Sequence, residues 1–313
     1  MYRKKKKVGL ALGSGAARGC AHFGVIRAIR ESGMEPDYIA GTSIGALIGG
    51  VMAAGNLGRL EQAVLKMDLR EILYYFVEVG FPRSGLIDGR RIVEFITQFV
   101  EDRRIEDLSQ PFRAVATEVM TGDEIVFSSG PLIAAIRASI AIPGIFTPVT
   151  KDGQVMVDGG LVNPVPVRVA RDMGADYVIA VDVNHGRVGA RRRKSRETPA
   201  PERTPEPNDE GEWQDRFLAA WQTQWDLLDQ AVKKRIQKWM RPDDVPHIFD
   251  VIGNTVRIME AQITNSMMRV DAPELLIRPE VGQIGFLEFH RAEEAIDAGY
   301  RATIEALATA KRP

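Results

Sequence analysis

The sequence predicts an α/β protein of three layers, with helices on both faces of a mainly parallel central sheet. Three observations predict it. Up to about residue 185, short apolar runs of strand length alternate with amphipathic segments of helix length, and that order builds parallel sheets covered on both sides. The first run, Val8–Leu12, is continuously apolar and ends in glycine, as a fully buried strand does. Glycines also stand where the helical patterns stop, at Gly33 and Gly55.

The elements follow in order. After the strand at Val8–Leu12, residues Cys20–Glu31 carry Phe23, Ile26, Ala28 and Ile29 at helical spacing. Tyr38–Ala40 is a second short strand, and Ser43–Ala54 is a helix rich in small residues. Helices are expected at Leu57–Met67, Gly89–Val100 and Pro131–Ser139, and strands at Phe112–Thr117, Glu124–Phe127, Gln154–Val157 and Tyr177–Val181. Residues 186–245 break the pattern. Between 187 and 212 stand seven basic and six acidic residues, four prolines and almost nothing apolar. Such a stretch buries too little surface to offset the entropy of ordering, so it is read as a disordered insertion. Trp213–Met240 then places Trp213, Phe217, Trp221, Trp225, Leu228 and Val232 at three- to four-residue steps, the pattern of an amphipathic helix. From 246 the globular pattern resumes, with a helix at Ile248–Arg269, a strand at Glu274–Arg278 and a last helix at Glu288–Ala310. The expected organisation is a basic tail (1–7), one domain built from 8–185 and 246–313, and an insertion (186–245).

Composition narrows the function. A net charge of -1 gives no overall pull toward nucleic acid. A single cysteine, Cys20, excludes an internal disulfide framework and a cysteine-cluster metal site, and suits a cytoplasmic protein. No run approaches the roughly 20 apolar residues of a membrane span. Contact with a membrane surface has two candidates, the Lys4–Lys7 cluster and the Trp213–Met240 helix with its basic end. The same aromatic stripe would also dock on the protein's own core or on a second copy in a homo-oligomer. The acids Asp215, Asp226 and Asp229 favour docking, because they keep the polar face from being purely cationic.

Three motifs carry chemistry. Gly41-Thr42-Ser43-Ile44-Gly45 is a nucleophile elbow, G-x-S-x-G, set between a strand and a helix. The serine sits in a strained turn, and its glycine neighbours let strand and helix approach closely. The pattern alone arises by chance in roughly one chain in ten of this length, so its context matters. Gly13-Ser14-Gly15-Ala16-Ala17-Arg18-Gly19 follows the first strand and opens a helix, leaving backbone N–H groups for an anion. A dinucleotide fingerprint would need glycine where Arg18 stands, and the lysine of a P-loop is absent. Asp158-Gly159-Gly160 ends a strand, where open α/β sheets build their sites, although an Asx turn would account for that pair too. None of His22, His185, His247 and His290 lies in a loop motif suited to a catalytic triad. Asp158 is therefore the best base for Ser43.

These motifs, in this order, resemble the patatin-like phospholipase family. The run Arg137-Ala138-Ser139-Ile140-Ala141-Ile142-Pro143-Gly144-Ile145-Phe146 is similar to that family's block before its catalytic aspartate. The small bacterial members are the nearest subgroup. The resemblance covers about residues 8–184 and implies a patatin-like α/β/α catalytic domain without cofactor or metal. It implies Ser43 as nucleophile and Asp158 as general base in a Ser–Asp dyad, acting on a lipid acyl ester. Gly41, Gly45, Gly159 and Gly160 support the motifs, and Gly13, Gly15, Ala16, Ala17, Arg18 and Gly19 form the oxyanion loop, with Arg18 bracing the loop or holding a substrate anion. Aligned on Arg18-Gly19, the family's common glycine triplet becomes Ser14, Gly15 and Ala16. A non-catalytic binding protein on the same scaffold is the alternative.

Overall fold

The computed structural model describes residues 6–68, 71, 72, 75, 87–186 and 248–310. The expected charged insertion (187–212), the tryptophan helix (213–240), His247 and Lys4–Lys5 lie outside the described residues. Inside the sheet lies β1 (Val8–Leu12), buried throughout. It pairs in parallel with β2 (Tyr38–Thr42) on one side and β7 (Tyr177–Val181) on the other. β7 continues in parallel to β8 (Leu275–Ile277), and β2 to β3 (Phe112–Glu118). Beyond β3 the sheet turns antiparallel, through β4 (Glu124–Phe127), β5 (Val149–Lys151) and β6 (Gln154–Asp158).

The period-two alternation of a strand sorts these side chains between two layers. Leu10, Leu12, Ile39, Ile179 and Val181 face a large core shared with α1 (Ala21–Glu31), α2 (Ile44–Ala53), α3 (Leu57–Lys66) and α4 (Arg90–Val100). On the other face Ala11, Ala40, Val178 and Ala180 meet α6 (Val167–Asp172) in a thinner layer of small side chains. Helix α5 (Leu132–Ser139) packs beside β3, and α7 (Ile248–Val270) and α8 (Ala292–Thr309) complete the described elements. Among the described residues, no helix is long and apolar enough to cross a membrane.

Helices α1 and α2 end in the same way. Gly33 N–H bonds Arg30 O at 2.9 Å while Met34 N–H bonds Ile29 O at 3.2 Å; Gly55 and Asn56 repeat the pattern on Met52 and Val51. Both glycines have φ near 80°, so each is the left-handed residue of a Schellman cap. The hairpin β5–β6 turns on Asp152-Gly153, both at positive φ, the pair that a two-residue type I′ turn requires. The sequence expectation contained β6 without its partner β5.

Helix α8 closes the large core against α1 through facing small residues. A Cβ on Gly24 would stand 1.9 Å from Ile296 O, and one on Gly299 would stand 2.0 Å from Ala21 O. Neither backbone can yield without separating the helices. Gly299→Ala is therefore expected to destabilise the fold by ~1–3 kcal/mol, the usual cost of overpacking. Gly58, in α3, has nothing within 4 Å of its would-be Cβ. Gly58→Ala should instead stabilise by ~0.5–1 kcal/mol through helix propensity. Urea unfolding followed by circular dichroism separates the two.

Candidate active site

Ser43 is the single residue between β2 and α2, and its backbone (φ 56°, ψ −124°) is one that L residues adopt at a cost of ~1–3 kcal/mol. The surroundings hold it there. Ser43 N–H donates to Ser139 Oγ (2.9 Å), whose own hydroxyl donates to Val115 O (2.5 Å). Thr42 Oγ1 donates to Asn163 O (2.8 Å). Strand and helix meet so closely that a Cβ on Gly41 would lie 2.4 Å from Gly45 O, and one on Gly45 would lie 2.1 Å from Leu12 O. The elbow glycines are thus required by space.

The register of β3 brings Ser43 and Asp158 together. On β3, Ala114 and Val115 pair with both β2 and β4, and Ala116 and Thr117 with both β4 and β6. A strand has two edges, so β2 and β6 lie end to end along the same one. Thr42 is opposite Val115 and Asp158 opposite Ala116. β2 runs with β3 and β6 against it, so their C-terminal ends meet, although 115 residues separate Ser43 from Asp158 in sequence. Ser43 Oγ donates to Asp158 Oδ2 at 2.5 Å, and Gly160 N–H donates to Asp158 Oδ1 at 2.8 Å. Asp158 N–H is held by Ala141 O (2.9 Å). The Arg137–Phe146 block therefore supports both partners, through Ser139 and Ala141.

Both side chains of the pair are buried, Ser43 and Asp158 each at 4% exposure. Burial pushes the Asp158 carboxyl up to about 7 from its ordinary 3.8, against the opposing hydrogen bonds from Ser43 and Gly160. An aspartate of that basicity accepts a proton near neutral pH.

The glycine loop wraps this pair. Gly13 N–H goes to Val181 O, Ser14 N–H to Pro164 O, Ala17 N–H to Phe286 O and Arg18 N–H to Gly15 O. Among the described residues, the N–H groups of Gly15 and Ala16 have no such partner. Ala17 belongs to the loop, but its donor is already engaged. Ala16 itself has φ 50°, the left-handed region in which the family's usual glycine would be unstrained. A Cβ on Gly15 would meet Val183 at 2.3 Å, one on Gly19 would meet Ile44 at 2.2 Å, and one on Gly13 would meet Val181 O at 2.6 Å. Arg18 is buried, with Nε and Nη2 on Asn184 Oδ1 (3.1 and 2.9 Å) and Nη1 on Ile284 O (3.3 Å). Its donors point into the protein, so bracing is the role its geometry favours.

The described histidines stand apart from this pair. His22 is fully buried behind the loop, its Nε2 on Gly13 O at 2.8 Å, and burial pushes it down to about 4, which keeps it neutral. His185 bonds Asp182 O, and His290 lies in a turn before α8. Ser43 and Ala16 open instead onto a pocket between α1, α2, α3 and α4. Apart from Ser43 and Tyr75, its lining is apolar, including Phe23, Leu47, Leu60, Phe95, Ile142 and Phe286. Its chemistry suits a hydrocarbon chain.

Three further polar residues belong to the site and carry no motif of their own: Ser139, Asn184 and Glu260. Ser139 stands within the Arg137–Phe146 block, which was the available signal. Asn184 Nδ2 reaches Ser14 O (3.0 Å) and Glu260 Oε2 (2.6 Å), across 170 and 76 residues, and no local pattern marks such contacts.

Two outcomes test this geometry. Ser139→Ala leaves Ser43 N–H and Val115 O buried and unpaired, and should cost ~1–3 kcal/mol in urea unfolding. Asp158→Asn should do the reverse. A carboxyl raised in the fold favours folding below the unfolded value near 3.8 and loses that advantage as pH rises through 7. The corresponding penalty above pH 7 is at most ~4 kcal/mol. The asparagine variant should thus melt above wild type at pH 8, the gap closing toward pH 4.

Comparison with known proteins agrees with this architecture. Residues 10–171 match the family model for patatin-like phospholipase. An uncharacterized NTE family protein of Mycobacterium tuberculosis is 33% identical over 96% of this chain and 91% of its own length. A lysophospholipase of Mycosarcoma maydis is 30% identical over 96% of this chain, which spans only 15% of that longer protein. A patatin-like phospholipase domain-containing protein of Rattus norvegicus is 36% identical over 56% of this chain and 13% of its own. With its fold, its motifs and these relatives in agreement, the chain belongs to the patatin-like phospholipase family.

Proposed function

We propose that this protein is a serine acyl hydrolase that cleaves lipid acyl esters through a Ser43–Asp158 dyad and an acyl-enzyme. The observation that carries the reading is the 2.5 Å hydrogen bond from Ser43 Oγ, which lines an apolar pocket, to the buried carboxyl of Asp158. Asp158 accepts the hydroxyl proton as Ser43 Oγ attacks the acyl carbonyl. The negative charge that develops on the carbonyl oxygen meets the N–H groups of Gly15 and Ala16, each such donor typically worth ~10²–10³ in rate. Collapse of the tetrahedral species expels the alcohol, which takes the proton back from Asp158. The same carboxylate then draws a proton from water as it attacks the acyl-enzyme, and returns that proton to Ser43 Oγ as the fatty acid leaves. The pocket supplies apolar surface for the acyl chain. The lysophospholipase name of the M. maydis relative supports a single-chain phospholipid as substrate class. Intact Ser43 and Asp158 weigh against a non-catalytic binding protein.

The dyad reading fixes several outcomes. Ser43→Ala and Asp158→Asn should each abolish hydrolysis of a short p-nitrophenyl ester while unfolding cooperatively, and a fluorophosphonate probe should label wild type at Ser43. Turnover like wild type in either variant would refute the dyad. Because the base works only when ionised, kcat/KM should fall about tenfold per pH unit below an apparent value near 7, where an ordinary aspartate would stay active to pH 4.

A further inference from the structure

The site contains a second buried carboxyl, that of Glu260 from α7, 4% exposed. Its Oε2 accepts Asn184 Nδ2 at 2.6 Å. The orientation of that amide is fixed, because Arg18 has only donors and binds the Asn184 oxygen with two of them. The amide NH2 must therefore face Ser14 O and Glu260. The Ser14 hydroxyl also bonds the Glu260 carboxyl. On its other side, Glu260 Oε1 lies against the turn after the dyad aspartate, where a Cβ on Gly160 would stand 2.0 Å from it. Gly160 is the residue whose N–H holds Asp158 Oδ1. Glu260 thus touches both halves of the site: the loop just before Gly15, and the turn that fixes the base.

Its charge state follows from its neighbours. Asp158 faces it from the end of β6, and Arg18 faces it from the glycine loop, with Arg257 one turn earlier on α7 close enough to act on Arg18. Arg18 gives its hydrogen bonds to Asn184 and Ile284, so it offers Glu260 no direct ion pair. Two neighbouring carboxyls buried in one site do not both ionise readily. Burial first, and the Asp158 charge second, push the Glu260 carboxyl up to about 8.

Resting on the dyad reading, we propose that Glu260 is a positioning residue that acts in its protonated form. It clamps the Ser14–Asn184 side of the glycine loop to the Gly160 turn and leaves the single negative charge of the carboxyl pair on Asp158, facing Ser43. The test compares pH–rate profiles of p-nitrophenyl ester hydrolysis for wild type, Glu260→Gln and Glu260→Ala, with fluorophosphonate labelling of Ser43 alongside. Glutamine copies the protonated acid and keeps an acceptor for Asn184. It should hold kcat within about threefold of wild type at pH 7, keep the acid limb where wild type has it, and lose the inflection expected of wild type above pH 8. Alanine removes the clamp and should lower kcat at least tenfold at unchanged KM. A glutamine variant whose acid limb moves down by about a pH unit would show that Glu260 is ionised at rest, and would overturn the proposal. So would a glutamine profile superimposable on wild type above pH 8, or an alanine variant with wild-type kcat. If alanine fails to fold, the glutamine profile decides alone. Failure of the dyad itself would appear separately, as wild type unlabelled at Ser43 and Ser43→Ala still active.

Discussion

The site depends on one edge of one strand. β3 receives β2 on the first half of that edge and β6 on the second, in opposite directions, with Thr42 and Asp158 at adjacent register positions. Backbone hydrogen bonds therefore fix the separation of Ser43 and Asp158 before any side chain contributes. A slip of either strand by one residue would turn its side chains to the other face of the sheet and part the pair. The supports found around the pair act on this junction. Ser139 pins the elbow to Val115, the β3 residue opposite Thr42, and Thr117 Oγ1 donates to Asp158 O at 2.9 Å from the β3 position next to Asp158's partner. Ala141 O holds the Asp158 N–H from outside the sheet.

Close approach and burial follow from the same junction. Gly41 and Gly45 let α2 leave the sheet steeply, and Gly159 is glycine because a Cβ there would lie 2.4 Å from Val115 O, on the far side of the meeting point. Packing this tight excludes water from Asp158. The exclusion disfavours the carboxylate and raises its proton affinity, so one physical cause gives the aspartate its basicity and costs the fold stability at neutral pH. The two-sided core around β1 makes such a cost tolerable. The strained backbone at Ser43 belongs to the same account, as a local cost held by surrounding packing.

Much of this was legible in the sequence, and for identifiable reasons. β1, β4 and β7 fall where their apolar runs place them, and α1 and α2 stop at the glycines that stop them, because those signals are local. Elbow, glycine loop and Asp-Gly-Gly are also local, since each turn shape demands its own residues. The β5 strand was missed although Asp152-Gly153 announced a hairpin, its three residues being too short to show a period. The loop donors were only half legible. That, among the described residues, Gly15 and Ala16 keep N–H groups without a backbone partner while Ala17 gives its own to Phe286 depends on a residue 269 positions away. Of the two roles for Arg18, bracing is favoured by its bonds to Asn184 and Ile284, equally remote in sequence.

The division of labour along the chain sharpens this point. The family match spans residues 10–171 and contains the elbow, the loop and the aspartate, the parts that touch the reaction in our reading. Asn184, Arg257, Glu260, Ile284 and Phe286 all lie beyond it, and each acts through a backbone or side chain of the matched part. A group that performs the chemistry has few substitutes, because proton transfer and oxyanion binding dictate its type and place. A group that only fixes orientation can be replaced by any donor, acceptor or apolar body that reaches the same spot. Motifs therefore concentrate in the first set, whereas the second becomes visible only once the strands and helices are assembled. Glu260 is the clearest case: one polar residue on a long helix, without a signature, whose importance rests on the 2.6 Å to Asn184 and on the space that Gly160 leaves for it.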